Sequence, residues 1–333
     1  MSLVDILRKK KLKLSAGLEI TNLCNLNCVY CYQDKTKQYE LSANEWIKVV
    51  EFLNTIFQHD LIDYKFSGGE VFTKKGISQA IKTALDTTAN VTVVTNGVSI
   101  PIEFMSLVNK SNLHIEVSLD GEKDIHDKFR GSFDNTISNI KKMCDLEADI
   151  AIRTSVYKEN SLELYDFIAY MKGISQNFTF NFQPIFSMRN PLEATPLSLE
   201  EYFAIASKIK QSVEVKQKWR IYDSFAFSRD YRQISKTASE IFGCEVGASV
   251  VIKPNGSYSP CEFHISKSNI LGSSKEDFLH SLEDSLIPNS KCTVCEVLEE
   301  CGGCRLAPMK HNYTFTFGFK SCKDYIKRLG ELR

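Results

Sequence analysis

Three cysteines near the start of the chain have a spacing that suits a metal cluster. Cys24, Cys28 and Cys31 are separated by three residues and then by two. Thiolates from one loop can hold three corners of a cubane iron–sulfur cluster, and one iron then stays open because no fourth cysteine lies nearby. Structural zinc sites usually have four ligands in paired Cys-x2–4-Cys form, which this stretch lacks. The spacing therefore predicts a cluster that binds a further ligand, with zinc or unrelated core cysteines as the alternatives.

The same stretch resembles a known signature. Cys24, Cys28, Tyr30 and Cys31 are similar to the motif of the radical S-adenosylmethionine (SAM) enzymes, including the aromatic residue before the last cysteine. The resemblance implies that the open iron binds the amino and carboxylate groups of SAM. It also implies that an electron from the cluster cleaves SAM to a 5′-deoxyadenosyl radical, which takes a hydrogen atom from the substrate. The protein then supplies position and excludes water and oxygen.

Length and composition bound the class of protein. A chain of 333 residues is too long for one ordinary core, so two domains are expected. Lys plus Arg and Asp plus Glu number 41 each, which argues against a partner such as nucleic acid or a membrane surface. The sequence contains no apolar run of membrane-span length and no signal-peptide core, so a cytoplasmic location is predicted. In that compartment the 11 cysteines are expected to be metal ligands rather than disulfides.

Short apolar runs alternate with amphipathic stretches over the first half of the chain, which is typical of parallel βα units. Six strands are predicted, at Leu14–Ile20, Tyr64–Ser67, Val91–Thr95, His114–Leu119, Ile150–Val156 and Phe178–Gln183. We expect an α/β fold, a partial (β/α)6 barrel, which is also the radical SAM core that the resemblance implies. Functional groups of such barrels gather at the C-terminal ends of the strands, where the cysteine loop follows the first strand.

Changes in composition and in hydrophobic pattern divide the chain into four segments. A short basic segment covers residues 1–13, and the partial barrel covers 14–190. A bridging helical region covers 191–238 and contains a strong helical pattern at Leu199–Val215. A cysteine-rich domain is predicted for 239–333.

Further candidate SAM contacts lie where predicted strands end. Gly68, Gly69 and Glu70 close the second strand, where glycines let the backbone approach a ligand closely. The resemblance assigns this segment to the amino group of SAM. The other candidates are the signature aromatic Tyr30, Asn96 after strand three, Ser118 and Asp120 at the end of strand four, Arg130 in the segment His126–Gly131, and Arg153 on strand five. Ordinary turn chemistry remains the alternative for Asn96 and Asp120, and a loop-fixing role for Arg130.

Seven cysteines occur in the C-terminal part, namely Cys244, Cys261, Cys292, Cys295, Cys301, Cys304 and Cys322. Pairs of this kind alone would also fit a zinc ribbon. Their order, with the segment Ile252–Cys261, resembles the SPASM extension of radical SAM enzymes, which carries two auxiliary 4Fe–4S clusters. Three 4Fe–4S clusters are therefore expected in all, together with SAM.

The resemblance also implies which cysteines belong together. One auxiliary cluster would be held by Cys292, Cys295, Cys301 and Cys322, and the other, one ligand short, by Cys244, Cys261 and Cys304. Only Gly302 and Gly303 separate Cys301 from Cys304, one residue fewer than in the family pattern. This departure leaves open which of the two clusters each of these cysteines joins.

SPASM-bearing enzymes that the chain resembles mostly modify peptides and proteins, through crosslinks, thioethers, epimerisation or side-chain oxidation. We therefore predict an oxidative modification of a peptide or protein substrate. A separate recognition protein and an electron donor such as flavodoxin or ferredoxin are the expected partners. Oxidation of a small molecule, such as an alcohol on an aminosugar, is the alternative. A non-catalytic iron–sulfur or zinc protein would explain the tail but not the cysteine triple beside the Gly-Gly-Glu segment.

Overall fold

The computed structural model describes residues 3–10, 13–31, 33, 35, 39–58, 60–87, 89–185, 194–219, 249–259 and 268–284. It divides into two compact units. The first contains Met1–Cys24, Lys35–Val94 and Tyr231–His311, and the second contains Asn25–Asp34, Thr95–Asp230 and Asn312–Arg333. All seven cysteines of the C-terminal part lie outside the described residues, so their assignment to clusters stays a prediction.

The helices and strands alternate along the described chain, as the sequence predicts. They are α1 (Leu3–Lys10), β1 (Leu14–Glu19), α2 (Ala43–Phe57), β2 (Ile62–Ser67), α3 (Ile77–Leu85), β3 (Val91–Thr95), α4 (Ile102–Met105), β4 (Leu113–Ser118), α5 (Lys123–Phe129), α6 (Phe133–Asp145), β5 (Ile150–Val156), α7 (Lys158–Ser161), α8 (Leu164–Ile174), β6 (Thr179–Pro184), α9 (Leu199–Ser212), β7 (Lys216–Trp219), β8 (Ser249–Ile252), β9 (Tyr258–Ser259) and α10 (Lys275–Asp284). The α/β class is confirmed.

In the first unit, β1 lies between two parallel neighbours. β2 pairs with it on one side and β8 on the other, β3 extends the sheet beyond β2, and β9 runs antiparallel to β8. The hairpin of β8 and β9 thus covers the edge of β1, which would otherwise offer unpaired backbone groups. Lys253 donates a hydrogen bond of 2.8 Å to Glu19, and the Leu41 amide donates one of 2.7 Å to the Pro254 carbonyl. These contacts fix the hairpin beside the strand that leads into the cysteine loop.

In the second unit, four parallel strands pair in the order β4, β5, β6, β7. The last of them is a seventh parallel strand that the sequence analysis did not predict. Lys216–Trp219 is short and mostly polar, so its periodicity gives no strand signal. Packing decides its place, because the ring of Trp219 stacks on Phe182 at 4.3 Å and meets Tyr202 edge-on at 5.5 Å.

The sheet of the second unit has a polar face and an apolar face. The register aligns Ser118 with Arg153 and Arg153 with Asn181, so these side chains share one face. Ile152 and Thr154, the neighbours of Arg153 along β5, lie on the opposite face and are fully buried. Because successive side chains of a strand alternate between faces, one sheet can both pack against helices and present polar groups. Among the described helices, none combines the length and hydropathy that a membrane span needs.

Phe278 joins α10 to the rest of the first unit. Its ring is fully buried and lies 4.8 Å from Tyr258, 5.6 Å from Phe52 and 6.4 Å from Phe57, measured between ring centres. We expect Phe278→Ala to destabilise the first unit by about 3–5 kcal/mol, because it leaves a cavity among three aromatic rings.

The measurement is hydrogen exchange of residues 268–284 together with the midpoint of denaturant unfolding. The control is Leu271→Ala, since this side chain is 38% exposed and its truncation should change neither quantity appreciably. Equal exchange in the two variants would contradict the packing role of Phe278.

Candidate metal centre

The cysteine loop carries three thiols. Cys24, Cys28 and Cys31 are each partly buried, and none forms a disulfide. Within the second unit, the amide of Cys31 donates to the carbonyl of Cys28 at 3.1 Å, and the amide of Val29 donates to the carbonyl of Phe129 at 3.1 Å. The second bond ties the middle of the loop to the C-terminal end of α5.

The donor set is of the kind that a cubane cluster uses. Within the described ranges, no group of three or more His, Cys, Asp and Glu side chains could hold one metal ion. Ligands of a cubane cluster do not converge on a single atom, because each thiolate binds a different iron. Three partly exposed thiols on one loop suit such a cluster, and they would leave its fourth iron to a ligand from outside the loop.

In the second unit, Asp120 is the centre of the hydrogen bonds that hold the loop. The Tyr30 hydroxyl and the Arg130 Nε both donate to Asp120 Oδ2, the latter at 2.8 Å. The Ser155 amide donates to Asp120 Oδ1 at 3.0 Å. Asp120 is fully buried, and burial raises the pKa of the Tyr30 phenol well above its usual range. The phenol therefore keeps its proton and acts as a donor to the carboxylate.

His126 and Asn160 support the backbone of Asp120. The Asn160 amide group donates to the carbonyls of Asp120 and Ser155 at 2.8 and 2.7 Å, and the Asp120 amide donates to His126 Nδ1 at 3.3 Å. His126 is fully buried, and burial lowers its pKa to about 4. The ring is thus neutral near pH 7, as an accepting Nδ1 requires. Its Nε2 meets no hydrogen-bond partner within the described part of the chain.

Arg130 lies directly beside the cysteine loop. Its Nη1 is 3.9 Å from Cys28 Sγ, its Nη2 donates to Ser155 Oγ at 3.4 Å, and its guanidinium lies 5.3 Å from the centre of the Tyr30 ring. The side chain is only 11% exposed. These contacts connect Arg130 to the loop, and its predicted contact with SAM stays a prediction.

Asn96 also has an identifiable structural role. Its amide donates to Asn25 Oδ1 in the cysteine loop at 2.7 Å, and its own Oδ1 accepts from the Val98 amide at 3.0 Å. The side chain thus serves two purposes at once. It forms the turn that ends β3, as turn chemistry predicts, and it holds the start of the loop within the second unit.

In the first unit, the end of β2 packs against the chain that leads to Cys24. The amide of Gly69 donates to the Thr21 carbonyl at 2.7 Å, and the amide of Glu70 donates to the Leu23 carbonyl at 2.8 Å. A Cβ on Gly68 would lie 2.6 Å from the Thr21 oxygen, and one on Gly69 only 2.3 Å from the Leu23 oxygen. The two glycines therefore permit a close approach of backbone to backbone, in addition to the approach to a ligand that the sequence suggested.

Glu40 is a functional candidate that the sequence analysis missed. Its carboxylate accepts from the Thr21 hydroxyl at 2.8 Å, the Asn22 amide at 2.7 Å and the Lys74 ammonium at 2.9 Å. Burial alone would raise the pKa of Glu40, but the hydrogen bonds from Asn22 and Lys74 lower it below its usual value. No local pattern marks this residue, because its partners are distant in the sequence. Its hydrogen bonds fix Thr21 and Asn22, which lie in the segment before Cys24.

Ser118 and Arg153 are neighbours on the polar face of the second unit. Arg153 donates to Glu116 and to Gln183, both at 2.7 Å, and Asn181 donates to the other oxygen of Glu116 at 3.1 Å. The Arg153 side chain is 22% exposed, so it is more accessible than Arg130. The strand register places Ser118 beside Arg153.

Comparison with known proteins gives one family and several relatives. The model of the radical SAM superfamily matches residues 18–171. The sporulation killing factor maturation protein SkfB of Bacillus subtilis is 31% identical over 163 residues, 47% of this chain and 39% of SkfB. The subtilosin biosynthesis protein AlbA of the same organism is 25% identical, over 90% of this chain and 68% of AlbA. A cysteine-type anaerobic sulfatase-maturating enzyme of Clostridium novyi is 27% identical, over 85% of both chains.

Solved structures show the same fold over nearly the whole chain. Streptococcus suis SuiB bound to SAM has a TM-score of 0.72 and 14% identity, over 92% of this chain and 77% of SuiB. The enzyme anSMEcpe with bound SAM has a TM-score of 0.69 and 17% identity, over 96% of both chains. At these identities the likeness establishes fold alone. It confirms the predicted α/β partial barrel with a parallel sheet.

The tight turn at Gly69 generates a prediction. Gly69→Ala should weaken SAM binding by roughly tenfold or more, because the added methyl meets the Leu23 backbone next to Cys24 and overpacking of this kind costs about 1–3 kcal/mol. Equilibrium dialysis of SAM against the anaerobically reconstituted protein measures the effect. Gly173→Ala in α8 is the matched control, because a Cβ there meets no atom within 4 Å. Wild-type SAM affinity in Gly69→Ala would contradict the steric argument.

The buried His126 generates a pH prediction. Its pKa is about 4 in the folded chain and 6.5 ordinarily, so the unfolded chain binds a proton first as the pH falls. The contribution of His126 to the free energy of unfolding is then fully present above pH 6.5. It is lost as the pH falls from 6.5 to 4, by about 3 kcal/mol in all at 1.36 kcal/mol per pH unit. His126→Asn removes this titration while keeping an acceptor. Unfolding free energies measured from pH 4 to 7 should therefore show a flatter slope in the variant, and equal slopes would refute the assignment.

The family model and the geometry identify the same part of the chain. The matched residues include the whole cysteine loop, the Gly68–Glu70 turn, and the network around Asp120 with both arginines. Three thiols on a loop that follows β1 suit a 4Fe–4S cluster with one open iron, and SAM is the ligand that this family places there. Residues 18–171 of this chain match the radical SAM superfamily, and most of its length is similar to AlbA and to the sulfatase-maturating enzyme of Clostridium novyi.

Proposed function

We propose that the chain catalyses an oxidative modification of a peptide or protein. The observation that supports this most is its likeness, over most of both chains, to AlbA and to the sulfatase-maturating enzyme. SuiB has also been solved with its precursor peptide SuiA, and anSMEcpe with SAM and a peptide. Because the match covers only 39% of SkfB, that relative supports the core chemistry and leaves the substrate to experiment.

Cys24, Cys28 and Cys31 would hold the 4Fe–4S cluster. When bound, the cluster and SAM together supply a radical that abstracts hydrogen from the substrate. The chain contributes the geometry. The Asp120 network holds the loop in the second unit, while the Gly68–Glu70 turn and Glu40 hold the segment before Cys24 in the first.

We propose two kinds of SAM-site residue. Ser118 and Arg153, on the polar face of β4 and β5, are proposed to face SAM or the substrate, since Arg153 is partly exposed. Gly68, Gly69 and Glu70 are proposed to offer backbone groups to SAM. The other candidates act indirectly, by holding the cysteine loop in position. They are Tyr30, Asn96, Asp120 and Arg130, whose side chains form hydrogen bonds with other residues of the chain.

We also propose that the C-terminal cysteines carry two auxiliary 4Fe–4S clusters. Such clusters can accept the electron that remains when a substrate radical is oxidised. A reduced flavodoxin or ferredoxin would supply the first electron, and a separate recognition protein is a candidate partner for the peptide. Iron analysis of anaerobically purified protein checks the cluster number, since three clusters require about twelve irons and the SAM-binding cluster alone about four.

The substrate class can be tested directly. The anaerobically reconstituted, reduced protein is incubated with SAM and a host extract of peptides and small molecules, and 5′-deoxyadenosine is quantified. We expect the extract to stimulate product formation and exhaustive protease digestion of the extract to abolish the stimulation. Stimulation that survives digestion would instead support oxidation of a small molecule, the alternative function.

Two cysteine variants control this assay. Cys28→Ser should abolish 5′-deoxyadenosine formation, because the cluster loses a ligand that serine replaces poorly. Cys144→Ser on α6 should preserve it, since this thiol lies outside the loop. A fully active Cys28→Ser variant would contradict the radical SAM assignment of the loop.

A further inference from the structure

One cation is placed where it can act on the metal centre. Arg130 Nη1 is 3.9 Å from Cys28 Sγ, and the side chain is 11% exposed. Its position is fixed by two further contacts, from Nε to Asp120 at 2.8 Å and from Nη2 to Ser155 at 3.4 Å. The guanidinium also lies over the Tyr30 ring, and Tyr30 belongs to the same loop as Cys28. Each of the three guanidinium nitrogens is therefore engaged by the chain itself.

We propose that Arg130 is a positioning residue that stabilises the reduced form of the cluster bound by the cysteine loop, and so raises its reduction potential. The inference rests on the assignment of Cys28 as a cluster ligand. It does not depend on the identity of the substrate.

The physical basis is the charge that the cluster gains on reduction. A cluster with thiolate ligands becomes more negative by one charge when it takes up an electron. A fixed cation next to a ligand sulfur therefore stabilises the reduced form more than the oxidised form. Hydrogen bonds to the sulfurs, net charge and solvent exposure are the variables that set cluster potentials. A largely buried cation acts strongly because little water screens it.

The Asp120 carboxylate opposes this effect and must be weighed against it. It bonds to the Nε edge of the guanidinium, whereas Cys28 lies near Nη1. Its charge is shared among three donors, since it also accepts from the Tyr30 hydroxyl and the Ser155 amide. Asp120 thus holds the guanidinium in place and partly offsets its charge. Removing the Arg130 charge should therefore lower the reduction potential, and removing the Asp120 charge should raise it.

The test is a redox titration without SAM or substrate, in which electron paramagnetic resonance measures the reduced cluster at each potential. The signal to follow is the one that SAM addition changes, since it belongs to the cluster with the open iron. In Arg130→Gln we expect a more negative midpoint. The ratio of reduced to oxidised cluster at a fixed potential should fall about tenfold, which equals about 59 mV for one electron. Arg130→Lys, which keeps the charge, should recover most of this loss.

Lys128→Gln is the matched control. It removes a cation from the same helix, α5, but Lys128 is exposed and lies over the Phe129 ring. Water and salt screen such a charge, so the cluster of Lys128→Gln should have the same midpoint potential as that of the wild type. A shift as large as that of Arg130→Gln would overturn the specific role of Arg130.

A second variant keeps the proposal testable if Arg130→Gln binds no cluster, as uncompensated burial of the Asp120 charge could cause. Asp120→Asn removes the opposing charge and should make the midpoint less negative. An unchanged midpoint in a cluster-loaded Arg130→Gln, or a more negative one in Asp120→Asn, would overturn the inference. If the wild type then still forms 5′-deoxyadenosine, the inference alone fails and the proposed function stands.

Discussion

The buried carboxylate of Asp120 is the interaction on which the second half of the cysteine loop depends. A charge removed from water costs several kcal/mol unless it is paired and hydrogen-bonded. The chain meets this requirement with a phenol from the loop, a guanidinium from the end of α5 and an amide from the end of β5. Because all three donors must be present, the loop, the helix and the strand are held in one arrangement.

The first half of the loop is held by a different device. The segment before Cys24 accepts backbone hydrogen bonds from the turn after β2, and the Glu40 carboxylate fixes Thr21 and Asn22. The glycines at 68 and 69 are needed because any side chain there would collide with backbone oxygens. A close packing of backbone on backbone is rigid, since neither partner can move a side chain out of the way. Each unit therefore orders its own part of the loop by its own means.

A site built on rigid elements matters for chemistry that depends on position. The cofactors carry the reactive steps in enzymes of this superfamily, so the protein contributes orientation, electrostatics and exclusion of solvent. The polar face of β4 to β6 offers one partly exposed arginine within a hydrogen-bonded set. The hydrogen bonds around the cysteine loop include a second arginine, Arg130, which is paired with the buried Asp120 and is less exposed. The two arginines thus differ in exposure and in hydrogen-bond partners, which their local sequences do not show.

The sequence by itself determined the chemistry and the fold class. The spacing of Cys24, Cys28 and Cys31 indicated a cluster with an open iron, because ligand spacing within one loop is a local property. The alternation of strands and helices indicated a parallel α/β fold for a similar reason, since hydrophobic periodicity is read over a few residues. The first conclusion agrees with the radical SAM match over residues 18–171, and the second agrees with the fold of SuiB.

The tertiary structure decided everything that depends on contacts between distant residues. It placed β7 through the packing of Trp219, and it revealed Glu40, whose partners lie 18 to 34 residues away. It also separated Arg130 from Arg153, because burial and hydrogen-bond partners are set by neighbours in space rather than in sequence. Local patterns cannot contain this information, since the energy of a buried polar group depends on which donors the fold brings to it.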